Sequence, residues 1–480
     1  MTTRGNTNLP GPNGGIDETH DPNLRSWVES ANDPTTDFPI QNLPLALCGM
    51  TNISSQGVHA LVPIGDSFLD LDQLVVCKLL DKRIYPACHF SDFDDGIRAF
   101  RQLLSQDSFG WSALRRRLSE LLTGRDPALR DNAEFRESCL IARDVVEADG
   151  YFESPEPPNY TDFYASIHHA TNVGSMFRPD NALLPNYKHI PIGYHGRASS
   201  IVPSGTSFHR PVGQTSPPDS DPSAGPGFGP CKLMDYELEM GCVIGRGNAL
   251  GSPVSIADAE SHIFGLCIVN DCSARDLQQW EYVPLGPFLA KNFATTVSPY
   301  IVTMEALAPF RIPAYERPAS DPRPLPYLTS EANTARGGFD ITLEVHLQSA
   351  EMAKRSMAPV RLSKGNFRHM YWTFAQMVAH HTVNGCNLQP GDLLASGTIS
   401  GPTRDSRGSM IELTWDGDPF ANPPKLVPGT QRTPIELPTG EKRTFLGDGD
   451  TVIMKAYCER EGFRRIGFGE CRGTVLPARV

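Results

Sequence analysis

A chain of 480 residues with 39% hydrophobic and 20% charged content has the makeup of a soluble globular protein of about two to four domains, and it holds no run of 18 or more apolar residues to span a bilayer. Its formal charge of -12 argues against nucleic acid, whose phosphates need clustered Lys and Arg. The eleven cysteines are scattered without a Cys-x-x-Cys pair, which argues against a disulfide framework and a zinc site; with no secretion or transit signal at the start, a cytoplasmic protein is expected.

Residues 1–36, rich in Asn, Gly, Pro and Asp, read as a poorly ordered or loosely draped extension. Residues 37–153 read as a small mixed domain: strand-like runs at 40–47 and 57–62, then helical patterns at 92–104 and 111–122, the second with Leu114, Leu118, Leu121 and Leu122 at helical spacing. Ser-Pro-Glu-Pro-Pro-Asn at 154–159 is a stiff spacer, and residues 154–480 form the larger domain. This body consists of short strands divided by Pro and Gly clusters at 217–230, 309–326 and 419–438. The fold class expected is α+β, predominantly β.

Directly after the spacer, Thr161 or Asp162 is a good helix N-cap, and a helix there places Asp162, Ser166 and His169 on one face, with His168 pointing elsewhere. A His-His pair alone is more often surface decoration. Between Met234 and Met240 the chain reads Met-Asp-Tyr-Glu-Leu-Glu-Met, a strand pattern that puts Glu237 and Glu239 on one face about 6.5 to 7 Å apart. That stretch fits either an ordinary solvated acidic face or a pair of carboxylates around a cation. Gly245 to Gly251 superficially resembles a dinucleotide fingerprint, but the third glycine comes one place late and no long helix pattern follows, so a turn is expected. The apolar run 266–269 ends in Asn270-Asp271-Cys272, placing Asp271 at a strand end.

Together Asp162, Glu237, Glu239 and Asp271 would make a four-carboxylate cage suited to Mg²⁺ or Ca²⁺ and unlike zinc sites, which usually take His or Cys. A helix is expected at 366–381, with His380 and His381 as decoration at its end. Ser-Gly-Thr-Ile-Ser-Gly at 396–401 is either a backbone-donor loop or a plain turn. Gly-x-Ser-x-Gly and His-Glu-x-x-His, the common serine and zinc hydrolase signatures, are absent.

These segments, read with their surroundings, closely resemble the fumarylacetoacetate hydrolase family from about residue 38 to the C-terminus. The resemblance rests on YTDFYASIHHATNVGSMFRPDNALLPN from Tyr160, GYHGRASSIVPSGT from Gly193 and KLMDYELEM from Lys232. It continues in VNDCSARDLQQWEYVPLGPFLAKNFATTVSPY from Val269, HMYWTFAQMVAHHTVNGCNLQPGDLLASGTISGP from His369 and GFGEC from Gly467.

The resemblance implies a small SH3-like N-terminal barrel, a mixed-β roll catalytic domain and a homodimer. It implies a divalent metal, Mg²⁺ or Ca²⁺, on Asp162, Glu237, Glu239 and Asp271, with Lys291 and Thr295 completing the sphere around Asp271. Tyr164, Arg178, Gln278, Tyr282 and Thr398 fall on substrate-binding positions, with Tyr194 and Arg275 close by. His169 takes the general-base position, and Glu412 falls where the family orients that histidine. The implied reaction is hydrolysis of a carbon-carbon bond in a 1,3-diketo acid, giving fumarate and acetoacetate in phenylalanine and tyrosine breakdown; Lys291, Gln278 and Arg275 would be donors to developing negative charge.

Departures from the family pattern fall at Ile167, at Cys272, in a longer loop at 215–229 and in the unmatched N-terminal extension. None removes a proposed ligand or acid-base group. Acylpyruvate hydrolases and oxaloacetate decarboxylases share the roll and are the main alternative; a non-enzymatic structural Ca²⁺ site is a second, which the added His, Lys and Arg disfavour.

Overall fold

Apolar strands of five to eight residues must pair to satisfy their backbone groups, and the first two do so with each other. In a computed structural model, which describes residues 15–50, 57–86, 94–153, 157–218 and 221–479, Ala46–Met50 pairs antiparallel with Gly57–Ile64. They are central in a five-stranded antiparallel sheet ordered Leu140–Ala142, Ser67–Asp70, Gly57–Ile64, Ala46–Met50, Gly150–Glu153. The strand expected at 40–47 therefore starts at Ala46. The residues before it form a buried loop, in which Leu45 exchanges two backbone hydrogen bonds with Ile301 at 3.0 and 2.8 Å.

Helices Asp94–Leu104 and Ser108–Thr123 follow; residues 92 and 93 of the first expected helix lie outside the described residues. The second is capped by Asp107, whose side chain accepts from Gly110 N, and it ends at Gly124 with φ 73°, the left-handed conformation that favours glycine. Leu114, Leu118, Leu121 and Leu122 pack in one core with Val58, Ala60 and Val62.

Residues 15–36 are not loosely draped. Arg115, buried in the second helix, donates to Thr19 Oγ1 at 2.8 Å, Asn42 O at 2.9 Å and Gln41 O at 2.6 Å, while His20 Nε2 bonds Glu305 O at 2.8 Å. Composition missed this because the anchors are scattered polar contacts and a few apolar side chains, Leu24, Trp27, Val28 and Ala31, packed on the same core as the second helix, and not a continuous apolar run. Residues 1–14 of the expected extension and 154–156 of the spacer lie outside the described residues.

The larger part is mixed α/β and strand-rich. An eight-stranded sheet runs Gly193–Gly196, Tyr160–Phe163, Leu393–Ala395, Leu238–Ile244, Ile263–Asp271, Thr295–Val297, Ile201–Pro203, with Val302–Thr303 also on Ile263–Asp271. Two of its pairings are parallel. A five-stranded sheet runs Val360–Asn366, Thr342–Gln348, Thr451–Cys458, Ile466–Leu476, Ser207–His209. Leu343, Val345, Leu347, Met454 and Phe468 join Met240, Leu266 and Ile268 in one buried core.

Three expected elements differ. The helix at 161–169 is instead the strand Tyr160–Phe163 followed by the helix Ile167–Phe177, capped by Ser166 and not by Thr161 or Asp162; parallel pairing with Leu393–Ala395 outweighs the capping preference. The helix at 366–381 begins only at Phe374, where Thr373 and Gln376 form a capping box. Phe367, Met370 and Tyr371 are apolar because they are buried in the core, not because they continue a helix. The strand at 234–240 is broken between Met234–Asp235 and Leu238–Ile244, and its acidic residues are buried, which removes the reading as a solvated face. Residues 245–251 carry no regular element, as expected of a turn.

Replacing Arg115 by Ala strands the buried carbonyls of Gln41 and Asn42 and is expected to cost about 2 to 4 kcal/mol. Denaturant unfolding with an unchanged midpoint would remove this anchor from the account.

Candidate active site

Asp162, Glu237, Glu239 and Asp271 converge. Asp162 lies on the Tyr160–Phe163 strand, Asp271 ends Ile263–Asp271, Glu239 is the second residue of Leu238–Ile244, and Glu237 sits in the break before it. One oxygen from each lies within 4.8 Å of the others, and none of the four residues is more than 5% exposed.

Burial and mutual repulsion push the Asp162 and Glu239 carboxyls well above the ordinary range. Burial also raises Glu237, but Arg275 and Lys291 outweigh it and hold that carboxyl below its usual value. Lys291 Nζ donates to Glu237 Oε2 and, at 2.7 Å, to Asp271 Oδ2. Burial lowers the Lys291 ammonium, yet Asp271, Glu237 and Asp162 dominate and keep it charged. Thr295 Oγ1 donates to Asp271 Oδ1 and the Tyr194 hydroxyl to Asp271 Oδ2, both at 2.8 Å.

Gly397 N donates to Glu239 Oε2 at 3.1 Å. Gly397 has φ +74°, and a Cβ there would lie 2.2 Å from Phe163 O, so only glycine fits. The 396–401 segment is thus a backbone donor, not a plain turn.

Asp162 Oδ1 and Glu239 Oε1 are buried without a hydrogen-bond partner. Two unmatched oxygens among four hard carboxylate donors fit a divalent cation of the Mg²⁺ or Ca²⁺ type, and the absence of His or Cys from the set does not fit a structural zinc site.

His169 is the third residue of its helix. Its Nδ1 bonds Glu412 Oε2 at 2.7 Å, its Nε2 lies 3.8 Å from Glu237 Oε1, and its ring meets Tyr164 edge-on at 5.5 Å. Burial pushes the Glu412 carboxyl up, but the His169 imidazole and hydrogen bonds from His169, Asn172 and Ser409 outweigh it and bring it to about 2. Asn172 Nδ2 donates at 2.8 Å, Ser400 Oγ at 2.9 Å and Ser409 Oγ at 2.7 Å.

Arg275 is committed to carboxylates: its Nε donates to Asp235 Oδ2 at 2.9 Å, its Nη1 pairs with Glu237 Oε1 at 2.7 Å, and Nη1 also donates to Gln278 Oε1 at 3.1 Å. The Tyr164 hydroxyl is held up by burial and by Glu412 and Glu237, against Arg178 and Arg275. Arg178 Nε and Thr398 Oγ1 are buried without partners, polar atoms with capacity to bind a guest. Tyr282 caps the helix Arg275–Glu281 and is half-buried.

Asn172, Ser400, Ser409 and Asp235 escaped the sequence reading. Asn172 stands three residues after His169 on the helix, a spacing that could have flagged it. Ser400 is recognisable only once the 396–401 loop folds against Glu412, whereas Ser409 stands three residues before Glu412, a spacing that could have flagged it. His380 and His381 are not decoration: His381 Nε2 bonds Thr161 Oγ1 at 2.9 Å and His380 bonds the Tyr327 hydroxyl at 3.0 Å.

A second buried group of His59, Asp70 and Asp72 lies where the N-terminal sheet meets the helix Leu71–Val76. There Asp70 caps the helix Leu71–Val76 and bonds His59 Nδ1 at 2.8 Å, while Asp72 accepts from Ala60 N at 3.0 Å. These bonds make it a structural anchor. Among the described residues, no helix is long and apolar enough to cross a membrane.

Comparison with known proteins matches residues 159–476 to the family model "Fumarylacetoacetate (FAA) hydrolase C-terminal" and residues 41–149 to "Fumarylacetoacetase N-terminal". The chain is 46% identical to the fumarylacetoacetase of Dictyostelium discoideum over 95% of this chain and 98% of that protein. It is 45% identical to the Homo sapiens fumarylacetoacetase over 94% and 99%, and 44% identical to that of Oryza sativa subsp. japonica over 95% and 98%.

Because Glu412 is depressed from 4.5 to about 2, the unfolded chain takes up its proton first as pH falls. The stabilisation by this carboxylate is present above about pH 4.5 and lost toward about pH 2. Between pH 5 and 3, Glu412→Gln is expected to lose stability less steeply than the wild type. Parallel unfolding profiles would contradict an ionised, His169-paired Glu412.

Proposed function

The chain belongs to the fumarylacetoacetate hydrolase family, and on that footing we propose that it hydrolyses the carbon-carbon bond of 4-fumarylacetoacetate to fumarate and acetoacetate, the last step of phenylalanine and tyrosine breakdown. The observation that carries this is a histidine fixed by a buried carboxylate and set beside a buried four-carboxylate cluster. A structural ion site needs the cluster but not the histidine.

The Glu412 contact makes Nδ1 the protonated nitrogen of His169 and leaves the Nε2 lone pair to accept a proton from water. The hydroxide equivalent adds to the ketone carbon beside the carbon-carbon double bond. The carbon-carbon bond then breaks, its electron pair leaves with the acetoacetate fragment, and the proton held by His169 returns to that carbon. Glu412 balances the imidazolium between the two transfers.

Asp162, Glu237, Glu239 and Asp271 would hold Mg²⁺ or Ca²⁺, with Lys291 and Thr295 around Asp271. Such a cation supplies Lewis-acid stabilisation of charge on substrate oxygens. Lys291, and Gln278 positioned by Arg275, add fixed donors where negative charge develops, and removing one such donor commonly costs about 10² to 10³ in rate.

Arg178 would pair with a substrate carboxylate, and Tyr164, Tyr194, Gln278, Tyr282 and Thr398 would shape the binding site. The acidic net charge is compatible with an anionic substrate because a bound cation together with Lys291, Arg275 and Arg178 would supply positive potential there. We extend the reading to two domains divided near residue 154, the first SH3-like and the second a mixed-β roll, in a cytoplasmic homodimer.

His169→Ala is expected to lose about 10² to 10⁴ of turnover with the fold and divalent-cation binding retained. Fumarylacetoacetate consumption near the wild-type rate would remove His169 from the mechanism.

A further inference from the structure

Asp235 stands in the sequence beside the acidic pair and has no role in the reading above, yet its carboxylate joins both halves of the site. It is fully buried. Oδ2 accepts from Arg275 Nε at 2.9 Å, lies 2.9 Å from Arg275 Nη2, and accepts from Ile411 N at 3.1 Å. Oδ1 accepts from Met410 N at 2.8 Å and from Tyr236 N at 2.9 Å. One side chain therefore grips the backbone immediately before Glu412 and the guanidinium that contacts Glu237 and Gln278.

Resting on the proposed reaction, we infer that Asp235 is a positioning residue that registers the His169–Glu412 pair against the Arg275–Gln278–Glu237 side of the site. Met410–Thr414 is only five residues long and is too short to hold its own orientation. The backbone bonds to Asp235 set where the Glu412 carboxylate lies relative to His169. Arg275 is likewise divided between two carboxylates, so Asp235 limits how much of its charge falls on Glu237. Loss of the Asp235 charge lets Arg275 turn wholly to Glu237 while the Met410–Thr414 turn drifts.

The consequence is a coupled loss: removing Asp235 and removing Glu412 damage the same alignment, so their effects on kcat do not add. An anchor that serves only folding changes stability and leaves the two kcat effects independent.

Wild-type protein is first assayed with fumarylacetoacetate and added Mg²⁺; no turnover there fails the proposed function and not this inference. With turnover established, Asp235→Asn is expected to lower kcat about a hundredfold with KM within about threefold. Asp235→Glu, which keeps the charge, is expected to recover about tenfold of that loss. The double variant Asp235→Asn/Glu412→Gln is expected to be no slower than the worse single variant by more than about threefold.

Calorimetry adds a readout independent of turnover: Asp235→Asn is expected to bind Mg²⁺ more weakly, as Arg275 competes for Glu237. Multiplicative kcat losses, or unchanged kcat with a lowered melting temperature, would overturn the positioning role. If Asp235→Asn does not fold, the same cycle with Asp235→Glu decides: its smaller kcat loss must still be non-additive with Glu412→Gln, and additivity there overturns the inference.

Discussion

Four carboxylates held within 4.8 Å of one another inside the protein set the problem that the rest of the site answers. At an effective dielectric of about 20, two unit charges at that separation repel by about 3 kcal/mol. The six pairs among four free carboxylates would together cost roughly 20 kcal/mol, more than the whole stability of a typical domain, about 5 to 15 kcal/mol. The cluster therefore needs positive charge among its members or protons on them. Lys291 supplies one charge inside the cluster and Arg275 another at its edge. Burial and mutual repulsion raise the Asp162 and Glu239 carboxyls despite these charges, and a divalent cation would stabilise them as carboxylates.

The fold makes that concentration of charge rigid. Asp162, Glu239 and Asp271 are carried by strands of one sheet, where ladder bonds leave little freedom to move apart. Thr295 reaches Asp271 across the register pairing of Ile263–Asp271 with Thr295–Val297. Glu412 comes from outside the sheet, and its four side-chain partners, His169, Asn172, Ser400 and Ser409, replace the ladder as its support. The carboxylate cluster thus rests largely on sheet backbone, while the His169–Glu412 pair rests on a buried polar network of the kind that loses most when one member is removed.

Much of this was legible in the chain. The alternation around Glu237 and Glu239, the strand end at Asp271 and the segment holding Asp162 and His169 pointed to the cluster from residue types alone. The path to it was partly wrong: Asp162 and His169 do not share a helical face but flank a strand-to-helix turn. The two residues still meet the same site because Tyr160–Phe163 pairs in parallel with Leu393–Ala395, a contact spanning more than 200 residues that local propensity does not encode. Glu412 could be named only by resemblance, since a lone Glu in Met-Ile-Glu-Leu carries no local signal. Asp235 looked like one acidic residue among three, and only the folded positions of Arg275 and the 410–411 backbone distinguish it. The docked N-terminal segment was missed for a related reason: dispersed hydrogen bonds such as those of Thr19 with Arg115, Ser26 with Leu122 O and Trp27 with Leu121 O help hold it, and composition is blind to them.

The most direct measurement is loss of fumarylacetoacetate absorbance by chelator-stripped protein, before and after Mg²⁺ or Ca²⁺ is restored. Stripping is expected to abolish cleavage and the added cation to restore it, with fumarate and acetoacetate as products. Full activity in protein verified to be cation-free, or no cleavage by folded, cation-loaded protein, would contradict the proposed reaction.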